Sequence, residues 1–133
     1  MKNSIISKLF ISLSLLAAFA LASTNVFAGE AVSSGEFVGK SDHITTGKVT
    51  ITKVANGYLV KLGKDFSLDG APAPRVGFGK NGKYDTNAQI GELVSKTGKQ
   101  VYLIPANVDL SKYNEVYIWC EKFSVPLGVA TLK

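Results

Sequence analysis

The pattern of apolar and polar positions splits the chain into one unbroken apolar run near its start and many short alternating runs after it. Leu9 to Leu21 is apolar except for Ser12 and Ser14. Lys2 and Lys8 flank its polar approach, and Val26-Phe27-Ala28 ends the stretch with residues that a signal peptidase accepts. Residues 1–28 therefore read as an export signal, cut after Ala28. The apolar run is short of the ~20 residues that a membrane helix needs, and no second run follows it. With no Cys near the cut, lipid attachment there is excluded. The expected product is exported, periplasmic or extracellular, with no transmembrane segment in the mature chain.

Beyond the leader the dominant period is two. Val49, Ile51 and Lys53 alternate with Thr50, Thr52 and Val54, Ala55-Asn56-Gly57 turns, and Tyr58 to Leu62 runs back. Asn-Gly between two such runs is the strongest short-range hairpin signal, because both residues tolerate the positive φ of a tight turn. Phe66-Ser67-Leu68 reads as a short strand ending at Asp69-Gly70, and Ala71-Pro72-Ala73-Pro74 as an extended surface loop. Val76-Gly77-Phe78 precedes a second Asn-Gly turn at Asn81-Gly82. Gly91–Lys96 and Gln100–Ile104 read as a strand pair around Thr97-Gly98. Asp109 to Tyr113 suggests one helical turn capped by Asp109. Val116–Phe123 and Leu127–Leu132 close the chain around Pro126.

These elements predict an all-β fold: a single small antiparallel β-sandwich or barrel of about eight short strands. Residues 29–34 read as a flexible N-terminal segment and 35–133 as the domain, which is large enough to bury an ordinary core without staples.

The full chain carries a formal charge of +5, and Lys2 and Lys8 leave with the leader. Its lysines are scattered singly among apolar residues, as on the solvated side of strands. No clustered stripe is visible, so nucleic acid is not an expected partner. The aromatic residues Tyr84, Tyr102, Tyr113, Tyr117 and Trp119 are read as core packing in preference to a glycan- or peptide-binding surface.

The candidate chemistry centres on the only Cys, Cys120, beside the only Trp, Trp119. In a strand Val116, Ile118 and Cys120 point one way, while Tyr117, Trp119, Glu121 and Phe123 point the other. Both faces are apolar over the first half. That implies a central strand covered on both sides, or one whose outer face meets an aromatic cluster. A single thiol in an oxidising compartment is either buried and inert, joined to a partner, or kept for its reactivity. The mature chain offers one His, His43, and no Met. A self-contained blue-copper site, an iron–sulfur cluster, a c-type haem and a dithiol exchange site all lack their ligands. No self-contained cofactor is expected, and only a haem or metal shared with a partner fits the composition. Cys120 alone would act through a sulfenic acid or a mixed disulfide.

His43 is a candidate ligand to such a shared centre, or else a loop anchor. Ser41-Asp42-His43 does not read as a triad, which assembles from distant segments. Asp65, Asp69 and Asp85 lack the spacing of a calcium loop, and no metal site is assigned. No catalytic residue is assigned either, and a conventional enzyme is the class with least support.

Several stretches together carry a resemblance: Gly35-Glu36-Phe37, His43 to Ile51, Phe66 to Pro72, Gly91-Glu92-Leu93, Gly98 to Pro105, Val108 to Tyr113, and Trp119-Cys120 with Phe123, Val125 and Gly128. The chain resembles the electron-transfer DM-thirteen domain family, a small secreted β domain also found in the Skeletor protein and sometimes fused to DOMON modules. The closing Trp-Cys-x-x-Phe-x-Val-x-x-Gly pattern is the most specific part. The resemblance implies a redox or electron-transfer role centred on Cys120. It also implies structural roles for Gly47, Phe66, Asp69, Gly70, Phe123 and Gly128. Where many members carry Gly-Pro-Asp this chain has Ala71-Pro72-Ala73-Pro74, so no role for that Asp carries over. Two expectations stand. One is an exported redox accessory with a redox or envelope protein partner. The other is a cell-envelope or extracellular binding or structural module in which Cys120 is core filler.

Overall fold

The structure, a computed structural model, describes residues 29–133; residues 1–28, where the export signal is expected, lie outside the described residues. Ten strands follow in order: β1 (Glu30–Gly39), β2 (Thr45–Thr46), β3 (Lys48–Val54), β4 (Gly57–Leu62), β5 (Ser67–Leu68), β6 (Pro74–Lys80), β7 (Lys83–Glu92), β8 (Gln100–Leu103), β9 (Glu115–Cys120) and β10 (Val125–Thr131). A single 3₁₀ turn, Leu110–Lys112, is capped by the Asp109 side chain, which accepts the Ser111 N–H. Eight strands form one antiparallel sheet in the order β7-β6-β9-β10-β1-β3-β4-β8, and β2 pairs with β5 in a separate ribbon. The sheet curls into a half-barrel, so the expected all-β antiparallel architecture holds.

β1 joins the two halves of the curl. Its first part, Glu30 to Glu36, pairs with β3, and Phe37 to Gly39 pairs with β10. The segment 29–34, expected to be flexible, is therefore largely strand: Glu30 lies opposite Lys53 and Ser34 opposite Thr50. Its small and polar residues hid a strand that is stabilised by pairing rather than by burial.

Alternation sends Val49 and Ile51 of β3, Val60 and Leu62 of β4, and Val76 and Phe78 of β6 into one core. The ribbon of β2 and β5 adds Leu68, and Phe66 beside it meets Phe37 edge-on at 5.5 Å. The Asn81-Gly82 turn forms as read, whereas the first hairpin turns on Ala55 and Asn56, with Gly57 already the first residue of β4 opposite Val54. At the β6–β7 turn Asn81 and Gly82 have φ of 52° and 85°, the two positive angles of a type I′ hairpin.

Three expectations are corrected. Gly91–Lys96 and Gln100–Ile104 are not a hairpin. β7 begins at Lys83 and pairs with β6, while β8 pairs with β4. The strand from Lys83 escaped notice because Ala88 is its one fully buried residue; as an edge strand it has little apolar alternation to show. β9 ends at Cys120, and Phe123 lies in the following turn with 62 % of its surface exposed. Pro126 does not break the last strand. It sits within β10 beside a bulge at Leu127, where the register slips between Pro126 and Gly128.

Candidate functional site

β9 lies between β6 and β10, and its alternation puts Cys120 and Trp119 on opposite faces of the sheet. Val116, Ile118 and Cys120 belong to the core. Cys120 is 1 % exposed and unpaired. Its Sγ donates to the Pro72 carbonyl at 3.2 Å, across 48 positions of sequence. Pro72 and Ala73 are themselves exposed. The thiol thus sits at the rim of the core under a strap one residue thick. That strap, Ala71 to Pro74, is tied by the Glu121 N–H donating to the Ala73 carbonyl at 3.1 Å and by Pro74 pairing opposite Cys120. Ala73 holds φ at 49°, which is unfavourable for a residue with a Cβ.

His43 reaches Asp69, which packs beside the same half of the molecule. Its Nδ1 lies 2.9 Å from Asp69 Oδ1, and the Ile44 N–H donates to Oδ2 at 3.1 Å. The His43 hydrogen bond, with the Ile44 N–H second, holds the Asp69 carboxyl below the usual carboxylate range. Ser41 donates its hydroxyl to the Pro126 carbonyl, 2.6 Å away, so it serves the loop and not a triad with His43. Geometry favours the anchor reading of His43. Gly70 follows Asp69 with φ of 120°.

Of the other motif residues, Gly47, Phe66 and Gly128 are closely packed and Phe123 is exposed. Gly47 has φ of 107°, and a Cβ there would run into the Phe66 backbone. A Cβ on Gly128 would meet the side chain of Thr45, whose hydroxyl donates to the Leu127 carbonyl at 2.7 Å. Phe66 is fully buried, whereas Phe123 is largely exposed, with Lys122 Nζ 5.6 Å from its ring centroid.

The aspartates expected to turn loops do so separately. Asp65 takes the Lys48 N–H, Asp69 takes His43 and Ile44, and Asp85 takes the Tyr113 hydroxyl and the Asn87 N–H. Among the described residues no group of three or more His, Cys, Asp or Glu side chains gathers to hold a metal.

Two groupings escaped the sequence. Lys48, Lys61, Lys64 and Lys99, scattered in the chain, line one groove of about 720 Å³ with Thr50 and Thr52 on the outer side of β3 and β4. The second is aromatic. Tyr84 stacks on Trp119 with centroids 4.3 Å apart and planes within 11°, and Tyr117 lies 5.3 Å from Tyr84 and 6.4 Å from Trp119. Tyr84, Tyr117 and Trp119 thus pack together on the face of β9 opposite Cys120, the aromatic-cluster alternative for that strand; Tyr117 is fully buried there, as expected of a packing residue, and Tyr84 and Trp119 are half-buried. Tyr102 is core and Tyr113 stacks on buried Phe78 at 5.8 Å.

β6 makes room for the cluster. Val76 and Phe78 face inward, while Gly77 and Gly79 face outward, where any Cβ would strike Tyr84 or Tyr117. Polar groups ring it. Arg75 lies 2.8 Å from Glu92 and 3.1 Å from Glu121, and Gln89 donates to Glu121 at 3.1 Å. Tyr84 donates to Gln89 at 3.2 Å, and Tyr117 donates to Glu115 Oε1 at 3.2 Å. Desolvation, with nearby Glu115 second, pushes the Tyr117 phenol up to about 12, and desolvation raises Tyr84 as well. The signal available in the sequence was the Gly-x-Gly of β6, legible only once the pairing that sets Gly77 opposite Tyr117 and Arg75 opposite Trp119 is known.

The family model described as electron transfer DM13 matches residues 36–132. No curated protein and no solved structure matched the chain.

Proposed function

Because this chain belongs to the electron transfer DM13 family, we propose that it is an exported accessory domain whose own redox group is Cys120 and whose cofactor-bearing partner is a separate protein. The observation that carries this reading is the placement of Sγ at the core rim, 3.2 Å from the carbonyl of an exposed strap residue. Moving that strap uncovers the thiol without dismantling the sheet. The chemistry follows from a lone thiol. Against a peroxide, an S–O bond forms as the O–O bond breaks, giving a sulfenic acid and releasing water or an alcohol. A partner thiol then displaces that oxygen as water and leaves a mixed disulfide. The lysine groove suits a partner with an acidic docking face, since charge complementarity speeds encounter.

A second reading has its own observation. At 1 % exposure, among Val116 and Ile118, Cys120 also has the surroundings of an inert small hydrophobe in a binding module.

The test uses the exported protein as recovered from the cell. A chain that begins at Gly29, and that when folded takes one sulfenic-acid trap at Cys120 after peroxide, supports the proposal. Cys120→Ser must abolish that adduct. A chain that keeps its leader inside the cell removes the export. Trapping seen only after unfolding removes the thiol chemistry and leaves the binding module.

A further inference from the structure

The aromatic cluster on the outer face has features that packing does not require. Its rings form a continuous π path, from half-buried Trp119 through Tyr84 to buried Tyr117. Only one of its two phenols meets a base: Tyr117 donates to the Glu115 carboxylate, whereas Tyr84 donates to the neutral amide of Gln89. A phenol that loses an electron becomes a strong acid, so a carboxylate within hydrogen-bond distance lets its proton leave with the electron. Glu115 is held in place by the Gly82 N–H at 2.9 Å. Tyr117 and Glu115 also form part of the lining of a cavity of about 330 Å³ beneath Val38, Lys40 and Pro126. The path thus has two ends, one at Trp119 and one at this cavity.

We propose that Trp119, Tyr84 and Tyr117 form a one-electron relay, with Tyr117 and Glu115 as its proton-coupled end. It rests on the reading of the domain as an electron-transfer accessory, but it uses the face of β9 opposite Cys120. A high-potential metal centre of the partner takes one electron from the Trp119 indole. Tyr117 refills the indole, directly or across the Tyr84 ring, as its O–H bond breaks and the proton passes to Glu115. Tyr84, with no base, is a bridge and not a resting place for the radical. A phenol or enediol reductant at the cavity then gives one electron to Tyr117 and its own proton to solvent, leaving as a neutral radical, and Glu115 returns to Tyr117 the proton it held. One electron has crossed the sheet, and the chain is unchanged.

The test is flash oxidation of the folded protein by a ruthenium polypyridyl photo-oxidant, followed by transient absorbance and electron paramagnetic resonance, in native protein and in Cys120→Ala. The expected result in both is an indole radical that decays into a neutral tyrosyl radical. Tyr117→Phe should remove the tyrosyl signal and leave the indole radical long-lived, and Glu115→Gln should slow its formation and make it depend on buffer base. An indole radical that never passes to tyrosine, or a tyrosyl signal that persists unchanged in both variants, overturns the relay. Because Cys120→Ala keeps the relay and loses the thiol, failure here leaves the sulfenic-acid test of Cys120 standing, and the converse holds as well.

Discussion

At the scale of single residues, the motif glycines divide by what surrounds them. Gly47 combines φ of 107° with contact against the Phe66 backbone, whereas Gly70, at φ of 120°, faces only the flexible end of Lys96 at 3.6 Å. Gly47→Ala should therefore cost more than about 3 kcal/mol and Gly70→Ala about 1 kcal/mol, read as shifts in the urea midpoint at constant slope. Cys120→Ala removes one buried sulfur and should cost about 1 kcal/mol in the same measurement. The sidedness of Cys120 and Trp119 was legible, because strand alternation is a property of the backbone itself. The cap on the thiol was not, since Pro72 reaches it from 48 residues away. The roles of Asp69 and Gly70 were readable as turn chemistry, yet nothing local marks His43 as the partner of Asp69. Phe123 was misplaced because its spacing continues the pattern of Tyr117 and Trp119 two steps past the last position that β9 holds.

At the scale of elements, the hairpin closed by Asn81-Gly82 was legible and the edge strand β7 was not. A hairpin turn is set by its own two residues, but an edge strand is held by backbone pairing that polar side chains do not advertise. The same distinction explains why residues 30–34 looked loose and are paired. The strap over Cys120 is the element on which the thiol chemistry depends. Replacing Pro72 by Gly frees its φ and should lower global stability by about 1 kcal/mol, while alkylation of Cys120 in the folded protein speeds by more than that loss accounts for. A rise in alkylation no larger than the lowered global stability accounts for would mean that the strap opens only with the whole fold. The loop tied by Asp69 should show its weakness in acid. Because Asp69 is held below its ordinary 3.8 in the folded state, the stability it adds is present above about pH 4 and is lost as pH falls through the lowered value. Asp69→Asn should accordingly flatten the acid limb of stability against pH, and an acid limb identical to that of the native protein would count against the anchor.

At the scale of the whole molecule, acid and alkaline limits have different sources. Tyr113 and Ser111 hydroxyls lower Asp85 and Asp109 as His43 lowers Asp69, so the fold loses support together from these three carboxylates below about pH 4. Tyr84, Tyr102 and Tyr117 are raised above 10.0, chiefly by desolvation. Their contribution is complete below pH 10 and is lost as pH rises through the raised values. Tyr117→Phe should extend the alkaline limit measured by circular dichroism. The overall architecture was legible because period two and turn residues recur along the chain, whereas the curl that gathers four lysines into a groove depends on strand order. Whether the thiol is a working group or filler is decided by how it becomes accessible. The rate of Cys120 alkylation should be followed as urea rises through the range where the protein stays folded. Opening of the strap alone gives a rate that is nearly flat in urea and faster than global unfolding allows. A rate that climbs with the full slope of global unfolding, and never exceeds it, would contradict a redox role for Cys120.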